Sequence, residues 1–219
     1  MVDKTVTSLE AAVADVHDGA TVMIGGFGVA GQPAALIGAL IAQGARNLTV
    51  INNNAGNGET GLAALLKARR VRKMICSFPR QADSFVFDGL YRAGEVELEV
   101  VPQGNLAERI RAAGAGIGAF FTPTGHGTLL AEGKETRVIS GRPHVLEYPL
   151  AADFALIKAH RGDRLGNLVY RKAARNFGPV MATAATCTVA QVDELVEVGA
   201  LDPEAVVTPG IFVRRVVAA

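Results

Sequence analysis

The sequence predicts an α/β fold: an open, mainly parallel sheet with helices on both faces. Three observations predict it. Short apolar runs rich in valine and isoleucine alternate with helix-like segments along most of the 219 residues. Nearly every run stops at glycine, asparagine or proline. The stretch Asp18-Gly19-Ala20-Thr21-Val22-Met23-Ile24-Gly25-Gly26-Phe27-Gly28-Val29-Ala30-Gly31-Gln32-Pro33 runs strand, glycine turn, helix start, the order in which α/β proteins build anion sites. No linker, repeat or low-complexity tract interrupts the pattern, so residues 1–219 are expected to form one domain.

The elements follow in order. Thr7 or Ser8 caps a first helix, which Asp18-Gly19 closes. Residues 21–24 form a strand, and Pro33 suits the first turn of a helix over 34–42 that stops at Gly44. A strand at 48–52 opens into Asn53-Asn54-Ala55-Gly56-Asn57-Gly58, and 62–69 is helical. A strand at 71–78 and a helix at 84–93 come next. Residues 96–101 alternate with Glu97 and Glu99, as a half-exposed strand does. Asn105 is placed to cap a helix over 106–113. A glycine-rich segment at 114–127 and apolar runs at 145–150, 154–159 and 186–192 complete the chain.

Composition narrows the function classes. Lys and Arg number 22 against 21 Asp and Glu, so no nucleic-acid footprint is visible. The densest basic cluster, Arg69, Arg70, Arg72 and Lys73, reads as a solvated helix end. Cys76 and Cys187 form no C-x-x-C pair or Cys/His cluster, so no metal is expected, and Cys76 reads as a buried small hydrophobe. Asp3, Lys4 and Glu10 are unlike a signal peptide, and no apolar stretch reaches membrane-span length. A cytoplasmic protein without membrane contact is expected.

Ligands of an open parallel sheet bind beyond the carboxyl ends of its strands. The turns there hold Gly25-Gly26-Phe27-Gly28, Asn52-Asn53-Asn54, Ser77-Phe78-Pro79-Arg80, Pro102-Gln103-Gly104-Asn105 and, after Phe121, Thr122-Pro123-Thr124-Gly125. These amides and hydroxyls can orient a carbonyl or steady an oxyanion, but they supply no general base or strong nucleophile. Glu59 reads as an acid favoured near a helix start. Ser77 lacks a nucleophile elbow, and His126 reads as a loop residue. Gly26-x-Gly28-x-x-Gly31 also fits the dinucleotide fingerprint. The acid expected about twenty residues on is replaced by Asn52, Asn53 and Asn54, which weakens a nicotinamide reading.

Together these loops resemble the alpha chain of the two-subunit 3-oxoacid CoA-transferases. Asp18 through Pro33 fits that family's first signature at every position, and the likeness continues through Asn53-Asn54-Ala55-Gly56, Val101-Pro102-Gln103-Gly104, Pro123-Thr124-Gly125 and Arg171-Lys172-Ala173-Ala174-Arg175-Asn176-Phe177. Cys76-Ser77-Phe78-Pro79-Arg80-Gln81 and Tyr91-Arg92-Ala93-Gly94 resemble the branch acting on 3-oxoadipate. The resemblance implies transfer of CoA from succinyl-CoA to a 3-oxo acid, 3-oxoadipate in that branch, with CoA a substrate and no permanently bound cofactor. It implies a beta-subunit partner, in a heterodimer or α2β2 heterotetramer, that brings the nucleophilic glutamate in a Glu-Asn-Gly motif; this chain has none.

By the same resemblance Gly25, Gly26, Phe27, Gly28, Val29, Ala30 and Gly31 form the CoA-binding loop. Asn53, Asn54, Gln103 and Gly104 support the acyl pocket and its oxyanion. Asn52 stands where relatives commonly have serine. Arg80 could pair with a substrate carboxylate, and a surface salt bridge explains it equally well. The alternatives are the alpha chain of an acetoacetate- or butyrate-type transferase and a non-catalytic acyl-CoA-binding protein of the same fold.

Overall fold

The computed structural model describes residues 2–219. Its elements run α1 (Leu9–Val13), β1 (Thr21–Ile24), α2 (Ala34–Gln43), β2 (Leu48–Ile51), α3 (Leu62–Lys67), β3 (Val71–Cys76), α4 (Phe85–Arg92), β4 (Glu97–Val100) and α5 (Gln103–Gly114). They continue with β5 (Phe120–Thr122), β6 (Thr136–Ile139), β7 (Arg142–Glu147), β8 (Ala152–Asp163), β9 (Leu168–Val169), α6 (Gly178–Thr183), β10 (Ala185–Val196) and β11 (Arg215–Ala218).

The main sheet has the order β11-β10-β8-β1-β2-β3-β4, every neighbouring pair parallel, with β9 antiparallel on β8. The chain builds outward from β1 to β4 through α2, α3 and α4. It then returns to the other side of β1 with β8. Right-handed crossovers put helices on opposite faces when the direction of strand addition reverses. Accordingly Leu36, Leu40, Leu62, Leu65 and Phe87 pack with Val22, Ile24, Val50 and Met74 on one face. Leu106, Ile110 and Met181 pack with Met23, Ile51, Ile75 and Ala155 on the other. Alternate side chains of each inner strand therefore feed two cores, which is why these strands read as continuous apolar runs.

Local chemistry sets the element ends. Ser8 Oγ accepts from the Ala11 amide at 3.1 Å, capping α1. Gly44 closes α2 at φ +102, a conformation glycine adopts without a Cβ penalty.

Two sequence expectations need correction. Asn105 does not cap a helix. α5 begins earlier, at Gln103 behind Pro102, and Asn105 lies buried in its first turn with its amide donating to Glu147 Oε1 at 3.1 Å. Phe121 does not join the parallel sheet. It belongs to a separate three-stranded antiparallel sheet, β5-β7-β6, in which Arg137 lies over its ring at 4.8 Å. This sheet hangs on α5: Arg109 Nε donates to Tyr148 O at 2.9 Å, and Lys134 and Asn105 both reach the buried Glu147. Its β6 strand is exposed throughout, so it leaves no apolar alternation in the sequence.

The basic cluster is also resolved into pairs. Arg69 meets Glu95, Arg72 meets Glu97, Lys73 meets Glu99, and Arg70 donates to the carbonyls of Ile41 and Gly44. It stitches β3 to β4 and to the end of α2 rather than ending a helix in solvent.

Candidate active-site cleft

β1 is paired with β2 on one side and β8 on the other, so the strand order reverses at its carboxyl end. Open α/β sheets bind ligands in the crevice formed there. The glycine turn leaves β1 at this point. Gly25 N–H still bonds Leu156 O at 2.9 Å, and then Phe27 and Ala30 exchange backbone bonds of 3.0 and 3.2 Å around Gly28-Val29. The first central position of that turn, Gly28, has φ +61, which an L side chain rarely adopts. Phe27 is 49% and Val29 79% exposed, so the turn projects its side chains outward. It is a tight hairpin whose Phe27 and Ala30 amides are already spent, and α2 starts only after Pro33. That geometry differs from a dinucleotide cradle, in which the glycines run directly into the helix N-terminus.

Beside it, the ends of β2, β3 and β4 enclose a cavity of about 370 Å³ lined by Phe27, Asn53, Ser77, Phe78, Gln81 and Gln103. Its lining has no charged side chain. The three asparagines after β2 are buried, each with a separate task. Asn52 Nδ2 donates to Ile24 O at 2.6 Å, and its Oδ1 receives the Asn54 amide at 2.8 Å. It ties the end of β1 to the end of β2. Asn54 Oδ1 receives the Gly56 amide at 2.9 Å, and its Nδ2 is buried without a partner among the described residues. Such an orphan donor costs about 1–3 kcal/mol unless a ligand or a second chain satisfies it.

Asn53 is oriented by two donors. Gln103 Nε2 reaches its Oδ1 at 2.7 Å. Ser77 Oγ lies 2.8 Å from the same Oδ1 and 3.0 Å from Asn53 O. Asn53 O already receives the Ser77 and Phe78 amides at 3.2 and 3.0 Å, so the single hydroxyl proton goes to Oδ1. Flipping the amide would set its NH₂ against that of Gln103. The Asn53 Nδ2 is therefore held toward the cavity as a pre-oriented hydrogen-bond donor. In the sequence Ser77 stands out only as a serine without a nucleophile elbow. One signal could have found its positioning role: parallel neighbours β2 and β3 end side by side, so the residues that follow them meet.

The chain matches the coenzyme A transferase family model over residues 6–219. It is 72% identical over 218 residues to the A subunit of 3-oxoadipate CoA-transferase from Pseudomonas putida, covering 100% of this chain and 94% of that one.

The chain belongs to the coenzyme A transferase family.

The A subunit of the enzyme of the same name from Acinetobacter baylyi is 66% identical over 217 residues, covering 99% of this chain and 95% of that one. Among solved structures, an acyl-CoA transferase of Escherichia coli O157:H7 in a thioester complex with CoA superposes with a TM-score of 0.86 at 22% identity, covering 99% of this chain and 50% of that one. Glutaconate CoA-transferase of Acidaminococcus fermentans gives 0.84 at 20% identity, covering 97% and 75%. These two likenesses speak for the fold.

Within this coenzyme A transferase chain the acids and bases lie away from the cavity lining. Glu59 is an exposed partner of Lys67 at 2.8 Å. His126 is an exposed loop residue. The Arg80 fork is engaged by both Asp88 oxygens, at 2.8 and 3.0 Å, and this pairing holds the Asp88 carboxyl below its usual range. Arg80 thus forms a surface ion pair. Gly104 sits in the first turn of α5, exposed, with open space beside its Cα. Cys76 is fully buried, and burial pushes its thiol up to about 12, which makes it inert. No helix among the described residues is long and apolar enough to cross a membrane.

Proposed function

We propose that this chain is the alpha half of a two-subunit CoA-transferase that moves CoA from succinyl-CoA to 3-oxoadipate in the cytoplasm. The observation that carries the reading is a neutral cavity with an oriented amide donor and no nucleophile of its own. A glutamate of a beta-subunit partner, in a heterodimer or α2β2 heterotetramer, supplies the missing carboxylate. Asn53 Nδ2, with Gln103 beside it, faces the carbonyl under attack, and the orphan Asn54 Nδ2 lies one residue further along the same loop.

In this scheme the glutamate oxygen adds to the thioester carbonyl, the C–S bond breaks, and CoA leaves as thiolate with the acid left as a glutamyl anhydride. The thiolate attacks the glutamyl carbonyl, releasing succinate and leaving a glutamyl-CoA thioester. The 3-oxoadipate carboxylate displaces the thiolate to form a second anhydride. Thiolate attack on the 3-oxoadipyl carbonyl gives 3-oxoadipyl-CoA and regenerates the glutamate. Each addition puts negative charge on a carbonyl oxygen, and the amide donors are in place before it develops. The glycine turn, with Phe27 at the cavity edge, carries the arm of CoA. Gly104 leaves the first turn of α5 open toward the acyl group.

Co-expression with a beta-subunit partner bearing Glu-Asn-Gly, assayed with succinyl-CoA and 3-oxoadipate, tests this. Transfer by the assembled pair and none by this chain alone is the expected result. Robust transfer by the chain alone would overturn the shared-site reading.

A further inference from the structure

We propose that Gln81 holds the remote carboxylate of the acyl acceptor, the one that takes no part in transfer, and so selects a 3-oxo diacid over a monoacid; this rests on the transferase reading above.

The polar side chains of the cavity fall into two sets. Asn53, Ser77 and Gln103 form one, joined by the bonds of 2.7 and 2.8 Å to Asn53 Oδ1. Gln81 lines the same cavity and is bonded to none of them. Its side-chain amide has no partner among the described residues, so both of its N–H groups are available. Phe27 and Phe78 complete the lining. A 3-oxo diacid repeats this pattern, with a reacting carboxyl at one end, a charged carboxylate at the other and carbon chain between.

Gln81 is fixed by its backbone and left free in its side chain. Its N–H donates to Ser84 Oγ at 2.9 Å, and its carbonyl receives the Ser84 amide at 3.2 Å. Ser84 is buried, and its hydroxyl donates to Gly56 O at 3.1 Å. The Gly58 amide donates to Asp83 O at 2.9 Å, and Asn54 pairs with Phe78 in an isolated parallel bridge. The loop carrying Gln81 is thereby stitched along its length to the loop carrying Asn53. The position of Gln81 relative to Asn53 is set, and its amide is left for a ligand.

Charge favours the same assignment. A diacid enters with its remote end ionised, and the lining holds no cation to meet it. Arg80, next in the chain, has its fork closed on both Asp88 oxygens at 2.8 and 3.0 Å. No acid lines the cavity either, so a carboxylate meets no like charge there. An amide donating to a carboxylate makes a charge-assisted hydrogen bond, roughly twice as strong as one between neutral groups. A lysine or arginine in its place would also pair with the partner's glutamate and blunt it as a nucleophile.

The test uses the assembled complex carrying Gln81→Met, which removes the donors at similar length, or Gln81→Glu, which sets a like charge against the carboxylate. Transfer from succinyl-CoA is followed as kcat/KM for 3-oxoadipate, which in a scheme with a covalent enzyme intermediate is independent of the donor half. 3-Oxohexanoate, of equal length without the remote carboxylate, is measured by its Ki as a competitor of 3-oxoadipate. Gln81→Met should lower kcat/KM for 3-oxoadipate about ten-fold or more, through KM, with kcat and the Ki of 3-oxohexanoate within about two-fold of wild type. Gln81→Glu should lose more with 3-oxoadipate, again at unchanged Ki. Equal loss with both acids would overturn the proposal by giving Gln81 to a feature they share. Unchanged kcat/KM for 3-oxoadipate, or dissociation of the complex on gel filtration, would overturn it too. A wild-type complex that transfers nothing sinks the transferase reading and this subsite with it. An active wild type matched by Gln81→Met sinks the subsite alone.

Discussion

Replacing Ser77 by alanine removes one of the two donors that orient Asn53, and replacing Gln103 by methionine removes the other at similar volume. The lost Ser77 bond of 2.8 Å is buried and neutral, worth about 1 kcal/mol. Because Gln103 still reaches Oδ1 at 2.7 Å, the amide stays oriented in the single variant. Ser77→Ala should therefore lower kcat by no more than about five-fold and Tm by ~3 °C, with little change in KM. The double variant is different in kind. With both donors gone, Oδ1 is free to turn into the cavity, where it would oppose a developing oxyanion instead of steadying it. Loss of one such donor costs about 10²–10³ in kcat. The assay is steady-state transfer from succinyl-CoA by the assembled complex, with circular dichroism to verify folding. A folded Ser77→Ala/Gln103→Met variant retaining kcat within about three-fold of wild type would refute the orientation reasoning.

Three further outcomes are expected. Gly31→Ala forces a methyl against the Ala174 carbonyl at φ +74, and Gly28→Val meets open space at φ +61. Thermal denaturation should show the larger loss for Gly31→Ala despite its smaller side chain, about 2–3 kcal/mol, with faster proteolysis at 171–175, whereas Gly28→Val should chiefly impair CoA-dependent activity. Burial raises the Cys76 thiol from 9.0 to about 12, so above pH 9 the unfolded chain releases a proton that the fold retains. Stability should fall by up to about 1.4 kcal/mol per pH unit between pH 9 and 12, and urea titrations of Cys76→Ala should show a shallower slope. Arg80→Ala should leave KM for 3-oxoadipate within about two-fold of wild type, because Asp88 already occupies the guanidinium fork. A large KM rise would return Arg80 to the substrate.

Much of the main sheet is legible in the chain because its inner strands are buried on both faces. Residues 21–24 and 48–51 are nearly apolar runs, and 71–76 finishes in one at 74–76, each closed by turn residues. The small antiparallel sheet is illegible for the opposite reason: β6 is exposed along its length and carries no burial pattern. The start of α5 is obscured because Asn105 resembles a cap. Its side chain instead faces the interior, to the buried Glu147 forty-two residues on.

The site divides along the same line. By itself the sequence determined the glycine turn, the amide-rich loops at the strand ends and the want of a nucleophile among them, since these are matters of residue type and local spacing. Only the tertiary structure decided that Ser77 and Gln103 grip Asn53, that Asn52 braces β1 against β2, and that the loop at 171–176 is fastened to the glycine turn by Asn176. Those bonds join residues 24, 50, 28 and 146 positions apart. Their geometry comes from the order of the strands in the sheet, which no local pattern encodes.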